Sequence, residues 1–199
     1  MSGDEPTLEH LRAWAYQPDA ADAIDTHGPL DNQDSDLLLH DWRYVPTLID
    51  FAADPGCPNS EYCARILTHY AMHLVCGHRR DEYSRLREAA ARARGRHRID
   101  QWAAHVERML GYAEHRGQVN RATAEQMAID LLVGPQWYAT WDEQTRGRLL
   151  TVRIADPATH WMATWHDTHP HHLYINRRTG SYKTAWRNAL PPAQVRQVV

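Results

Sequence analysis

Residues 149–186 read LLTVRIADPATHWMATWHDTHPHHLYINRRTGSYKTAW, and the spacing of their apolar side chains decides the fold class. Leu150, Val152 and Ile154 alternate with Thr151 and Arg153. Trp161, Ala163 and Trp165 alternate with Met162 and Thr164, Leu173 and Ile175 flank Tyr174, and a fourth run carries Tyr182, Thr184 and Trp186. A period of two places every second residue on one face of an extended strand. Between the runs stand DPAT, DTHP and RRTG, and Gly180 can take a positive φ at no steric cost. The reading is an antiparallel meander of three or four strands over 148–187, one face of which needs cover.

Upstream of Gly147 the period is about 3.6. Leu8, Leu11 and Trp14 follow Thr7 as a candidate N-cap, and Pro18 ends that helix. The stretch from Leu37 to Ala53 has one apolar face, broken near Tyr44 or kinked by Pro46. NSEYCARILTHYAMHLVCG carries Cys63, Ile66, Leu67, Tyr70 and Leu74 on one stripe and stops at Gly77. Helices are also expected around Tyr83–Ala90, around Ile99–Ala113, and over TAEQMAIDLL, where Thr123 and Gln126 suggest a capping box before Gly134-Pro135.

The expected class is therefore α+β. A helical domain of about six helices spans 1–147, the small antiparallel sheet at 148–187 packs on it, and a peripheral tail follows at 188–199. An offset of 61 residues superposes 45–71 on 106–132 without gaps, pairing Val45 with Val106 and Gly56 with Gly117. Stacked αα-hairpins would give this pattern, and so would a plain bundle. The layout resembles HEAT-type stacking, although the interval exceeds such a unit and implies no function.

Composition sets the class of partner. The chain has 199 residues, three cysteines and no apolar run near the roughly 20 residues of a membrane span, so a reduced, cytoplasmic protein is expected. Twenty-one arginines against one lysine point to a GC-rich, bacterial genome. Residues 1–56 hold twelve acids and two arginines, whereas 57–199 hold thirteen acids and twenty bases. Such asymmetry suits either attraction within the chain or a basic partner.

Three constellations carry candidate chemistry. His160, His166, His169, His171 and His172 crowd one hairpin. With Trp165 set opposite Leu173, His166 and His172 stand across from each other on the outer face, close enough to share a transition metal with His169 as a third ligand. Cys57, Cys63, Cys76 and His78 have zinc-type side chains, but Cys63 and Cys76 on one helix lie about 20 Å apart. Cys57 before PNSEY is also a conceivable thiolate nucleophile. The run 79–98 holds eight arginines, among which Arg80, Arg87 and Arg94 recur every seven residues and could line a nucleic-acid backbone.

QWYATW places Trp137 and Trp141 at the junction of helices and sheet, where rings anchor packing or a partner. No nucleophile elbow, phosphate loop or zinc-protease motif occurs. The expected function is a non-enzymatic bacterial protein, without cofactor, that binds another protein and could be immunity- or antitoxin-like. It would use Asp31, Asp34 and Asp36 of the acidic loop with Trp137 and Trp141. The alternatives are a metal-dependent protein or enzyme using the histidines, and nucleic-acid binding through 79–98.

Overall fold

A computed structural model describes residues 7–16, 41–96, 98–155 and 158–198. The fold is α+β, with nine α-helices among the described residues and a four-stranded antiparallel sheet near the C-terminus. No helix among the described residues is long and apolar enough to cross a membrane.

Contacts divide the described chain into two compact units, one running up to Leu74 together with Asp81–Glu107, the other made of Val75–Arg80 and the residues from Arg108 onward. The helices after Arg108 thus fall in the same unit as the sheet.

In the first unit, α1 (Leu8–Ala15) buries Leu11, Trp14 and Ala15. The turn at 57–59 caps its end: the Asn59 side-chain amide donates to Trp14 O at 2.9 Å and the Cys57 thiol to Ala15 O at 3.2 Å. A 3₁₀ turn (Trp42–Tyr44) leads into α2 (Val45–Ala53), and Pro46 sits in the first turn, where its missing N–H leaves no bond unmade. Then come α3 (Ser60–Cys76), α4 (Tyr83–Ala93) and α5 (Asp100–Glu114). Tyr44, Leu48, Leu67, Tyr70, Leu86 and Trp102 form the core, as their helical spacing requires. Helices α3 and α5 each run from one unit into the other.

The second unit continues with α6 (Arg121–Ala128), capped by Asn120 and not by the expected Thr123. The Asn120 side-chain oxygen accepts from Thr123 N at 2.8 Å and from the Thr123 hydroxyl at 3.1 Å. A π-turn (Ile129–Val133) follows, closed by Gly134 at φ 90°, whose N–H donates to Ile129 O. Short helices α7 (Pro135–Thr140) and α8 (Glu143–Leu149) lead into the sheet.

Strands β1 (Leu150–Ile154), β2 (His160–Trp165), β3 (His171–Asn176) and β4 (Tyr182–Trp186) form the expected meander, followed by α9 (Pro192–Val195). Helix α6 packs on β1 and β2, and the π-turn on β3. The tail is not peripheral. Val195 and Val198 pack with Ala155, Met162 and Tyr174 on the sheet face expected to meet solvent, so both faces of the central strands are buried.

That second buried face sets the register. The structure pairs Trp165 with His171 and Ala163 with Leu173, two residues away from the expected alignment. Met162 then meets Tyr174 beneath the tail and His160 meets Asn176. The expected alignment would set Met162 beside polar Asn176, a poor match on a face that also excludes water.

Candidate anion-binding site

Two loops of the second unit build the site. Residues 115–120 join α5 to α6, and 177–181 close the β3–β4 hairpin. They pair like short strands: Gly117 N–H donates to Thr179 O at 3.1 Å and Val119 N–H to Arg177 O at 2.9 Å. The hairpin is held by Asn176, whose side-chain oxygen accepts from Arg178 N and Thr179 N. Gly180 lies at φ 76°, a conformation that favours glycine, and a Cβ there would stand 2.5 Å from Cδ2 of the exposed His115 ring, which would have to turn aside.

Two clefts are walled in part by these loops. The first, of about 340 Å³, is lined by Arg80, Arg116 and Lys183 together with His78, Tyr112 and Ser181. The second, of about 770 Å³, is lined by Arg121, Arg177 and Arg178 together with Trp161, Asn120 and Thr159. Neither cleft has a carboxylate among its described lining residues. The sequence stretches 75–80 and 108–199 carry thirteen bases against seven acids, so the site adds local concentration to an already positive unit. A third cleft, of about 280 Å³ in the first unit, differs: Arg85, Arg92 and Arg96 meet Asp50 and Glu88 there, and Arg96 pairs with Asp50 at 2.9 Å. Its charge is answered from within.

Supporting contacts fix the lining groups. His78 holds φ 54°, an uncommon conformation outside glycine, and its Nε2–H donates to Tyr182 O at 3.2 Å. That bond leaves Nδ1 as the acceptor of the neutral ring. The Tyr112 hydroxyl donates to Asp130 at 2.9 Å, and burial followed by the Asp130 charge raises its pKa, keeping the phenol neutral. Asp130 is fully buried in the π-turn and also receives Arg108 at 3.1 and 3.2 Å and Gln126 at 3.3 Å. In the second cleft Trp161 donates to Val119 O at 2.8 Å, while the Arg177 guanidinium lies 4.9 Å from the Trp161 ring centroid and donates to Ala158 O.

The other candidates are placed as follows. His166 lies past the end of β2 with Nε2 3.2 Å from the Thr151 hydroxyl. His172 faces Thr164, not His166; its Nδ1 lies 3.1 Å from the Thr164 hydroxyl and its pKa is lowered by burial first and by the charges of His166 and Arg153 after. The directly opposed histidine pair is therefore a correction, caused by the register. His169 is exposed in the connecting loop. Among the described residues no group of three or more His, Cys, Asp and Glu side chains is arranged to hold a metal ion.

Cys57 is buried as a cap of α1, and burial raises its pKa, opposite to an activated nucleophile. Burial likewise raises the Cys63 thiol, and pushes Cys76 up to about 12. Trp137 is half-buried, its ring 6.3 Å from Trp165, and Trp141 lies 5.7 Å from Tyr138. Asp31, Asp34 and Asp36 lie outside the described residues.

The expected arginine stripe is also corrected. Arg80 belongs to a 3₁₀ turn (Arg80–Glu82) that breaks the phase before α4; Arg87 is on α4, and Arg94 is its C-cap, paired with Glu107 at 3.5 Å. Only Arg80 reaches a cationic cleft. The other cleft cations stand in loops, at the first residue of α6 or on a strand, in HRGQVNR and NRRTGSYK, where the sequence shows turn chemistry first. Comparison with models of protein families, with curated proteins and with solved structures finds no match.

Proposed function

We propose that the second unit binds the phosphate backbone of a nucleic acid, and that the protein acts by binding and not by catalysis. The carrying observation is a pair of clefts walled by the 115–120 and 177–181 loops, each with three cations and no carboxylate among its described lining residues. Guanidinium groups suit phosphate oxygens because they are planar, permanently charged and able to donate two bonds at once. Affinity for such a ligand is carried by released counterions, so its dependence on salt reads the number of phosphates engaged.

The test is an anisotropy titration of a labelled 20-nucleotide strand between 50 and 200 mM salt. Six engaged phosphates give a slope of about −4 in log K against log salt for a single strand. Replacing Arg80, Arg116 and Lys183 by glutamine should remove about 2 from that slope. No binding at 50 mM salt, or a slope unmoved by the triple variant, overturns the reading.

A basic protein partner is the second reading. It is favoured by the other unit, whose sequence stretches 1–74 and 81–107 hold eighteen acids and nine bases, and by Trp186, which is 61% exposed although its ring is 3.9 Å from that of His171. An immunity- or antitoxin-like role in a bacterial cytoplasm is its concrete form. Salt-sensitive co-purification of one cationic protein, weakened by neutralising Asp31, Asp34 and Asp36, supports it; recovery unchanged by those substitutions removes the acidic loop from the account.

A further inference from the structure

We propose that the nucleic acid is single-stranded and that one of its bases stacks in the wider cleft against Trp161 and Arg177; this rests on the backbone-binding reading above. Charge suffices for a backbone, and the narrower cleft, with Arg80, Arg116 and Lys183, meets that need. The wider cleft adds a half-buried indole to its three arginines.

The indole is held in place. Its N–H is bonded to Val119 O at 2.8 Å, so the ring is tied to the loop that contributes to both clefts. Arg177 lies over the ring at 4.9 Å and is itself tied to Ala158 O at 2.9 Å. A flat aromatic group and a flat guanidinium at the mouth of a positive groove form a stacking platform, which any base can use through its π-face. The volume of about 770 Å³ is within the range of small-molecule sites and admits a nucleoside.

The wall also carries groups for a base edge. Asn120, which lines the cleft, uses its side-chain oxygen on Thr123 and keeps its amide N–H groups as donors, whereas the Thr159 hydroxyl is engaged by His160 Nδ1 at 2.9 Å. A duplex keeps its base faces stacked inside and can offer this cleft only phosphates. A single strand can offer both. The loop 115–120, which contributes to the walls of both clefts, then joins the base site to the phosphate site.

The test compares four ligands on the full chain at one salt concentration: a 12-nucleotide oligouridylate, the matching oligodeoxythymidylate, a duplex of the same length, and inorganic polyphosphate. The single strands should bind about tenfold or more tightly than polyphosphate of equal charge. Trp161→Leu should lose about tenfold for the strands and nothing for polyphosphate, with Trp161→Phe restoring the difference.

Photocross-linking of a 4-thiouridine strand to the unaltered protein, mapped by mass spectrometry, should label the Trp161 or Arg177 peptide. Equal affinity for strands, duplex and polyphosphate, or cross-links confined to other segments, overturns base stacking while leaving backbone binding in place. Failure of all four ligands to bind overturns the backbone reading itself. Because the cross-link needs no variant, the proposal stays testable if Trp161→Leu does not fold.

Discussion

Removing Arg108 should harm the second unit more than neutralising Asp130, although the two form one ion pair. Asp130 has no exposed side-chain surface, whereas Arg108 is 42% exposed. The carboxylate receives Arg108 Nη2 on one oxygen, and Arg108 Nε, Tyr112 and Gln126 on the other. In Asp130→Asn the amide can keep its oxygen where Tyr112 and Gln126 converge, while Arg108 swings toward water. What is lost is the pair of Arg108 bonds, and the remaining charged bonds weaken to neutral ones, a cost of about 3 kcal/mol.

Arg108→Met leaves a buried carboxylate without its counter-charge, which costs about 3–5 kcal/mol. The double variant should recover at least about 1 kcal/mol of the summed losses, because the two changes remove the same pair. Urea titration followed by tryptophan fluorescence gives the three values from shifts in midpoint at constant slope. In a chain of this length each kcal/mol corresponds to about 2–4 °C in Tm, so Arg108→Met should melt about 6–20 °C lower. If Arg108→Met costs less than Asp130→Asn, or both cost under about 1 kcal/mol, the assignment of burial to the carboxylate is wrong.

Two further outcomes follow from the same unit. Burial lowers the pKa of His171 and of His172 below the ordinary 6.5, so both rings fold neutral and the unfolded chain takes up protons first. Their contribution is complete above pH 6.5 and falls as pH drops through 6.5 toward the folded values; melts at pH 7.5, 6 and 5 should therefore show a steeper acid loss for the native chain than for His171→Phe with His172→Asn, and parallel curves would remove the histidines as the cause. Gly180→Ala should cost about 1–2 kcal/mol for the left-handed backbone alone and loosen the loop pairing that walls the clefts, so affinity for the labelled strand should fall with stability; unchanged affinity in a destabilised variant would show that the pairing does not shape the site.

Elements set by local pattern were legible in the sequence. The stripe Cys63, Ile66, Leu67, Tyr70 and Leu74 is buried as a helix face, and the alternation of Trp161, Ala163 and Trp165 marks a true strand. What escaped depends on contacts distant in sequence. The tail closes the second sheet face through Val195 and Val198, and the His160 Nε2–H and Asn176 amide both donate to Val198 O. Periodicity in β2 cannot show that cover, so the register and the placement of His172 were misjudged together.

The candidate site was hidden for the same reason. Arg80, Arg116 and Lys183 are separated by 36 and 67 positions and meet through loop pairing. The run 79–98 looked stronger because its arginines are neighbours in sequence, yet Arg94 and Arg96 pair with Glu107 and Asp50.

Helices α3 and α5 each begin in one unit and end in the other. As a matter of inheritance, the two units are therefore interleaved in the gene. No single crossover separates them, since a fragment ending at Glu107 still carries Val75–Arg80, and a fragment beginning at Arg108 lacks Arg80 and His78 from its cleft. Each unit can be exchanged or duplicated alone only if two cuts fall inside helices, two residues before the end of α3 and seven before the end of α5, where a mismatched join disrupts backbone hydrogen bonds. The pair should accordingly pass from one chain to another as a whole.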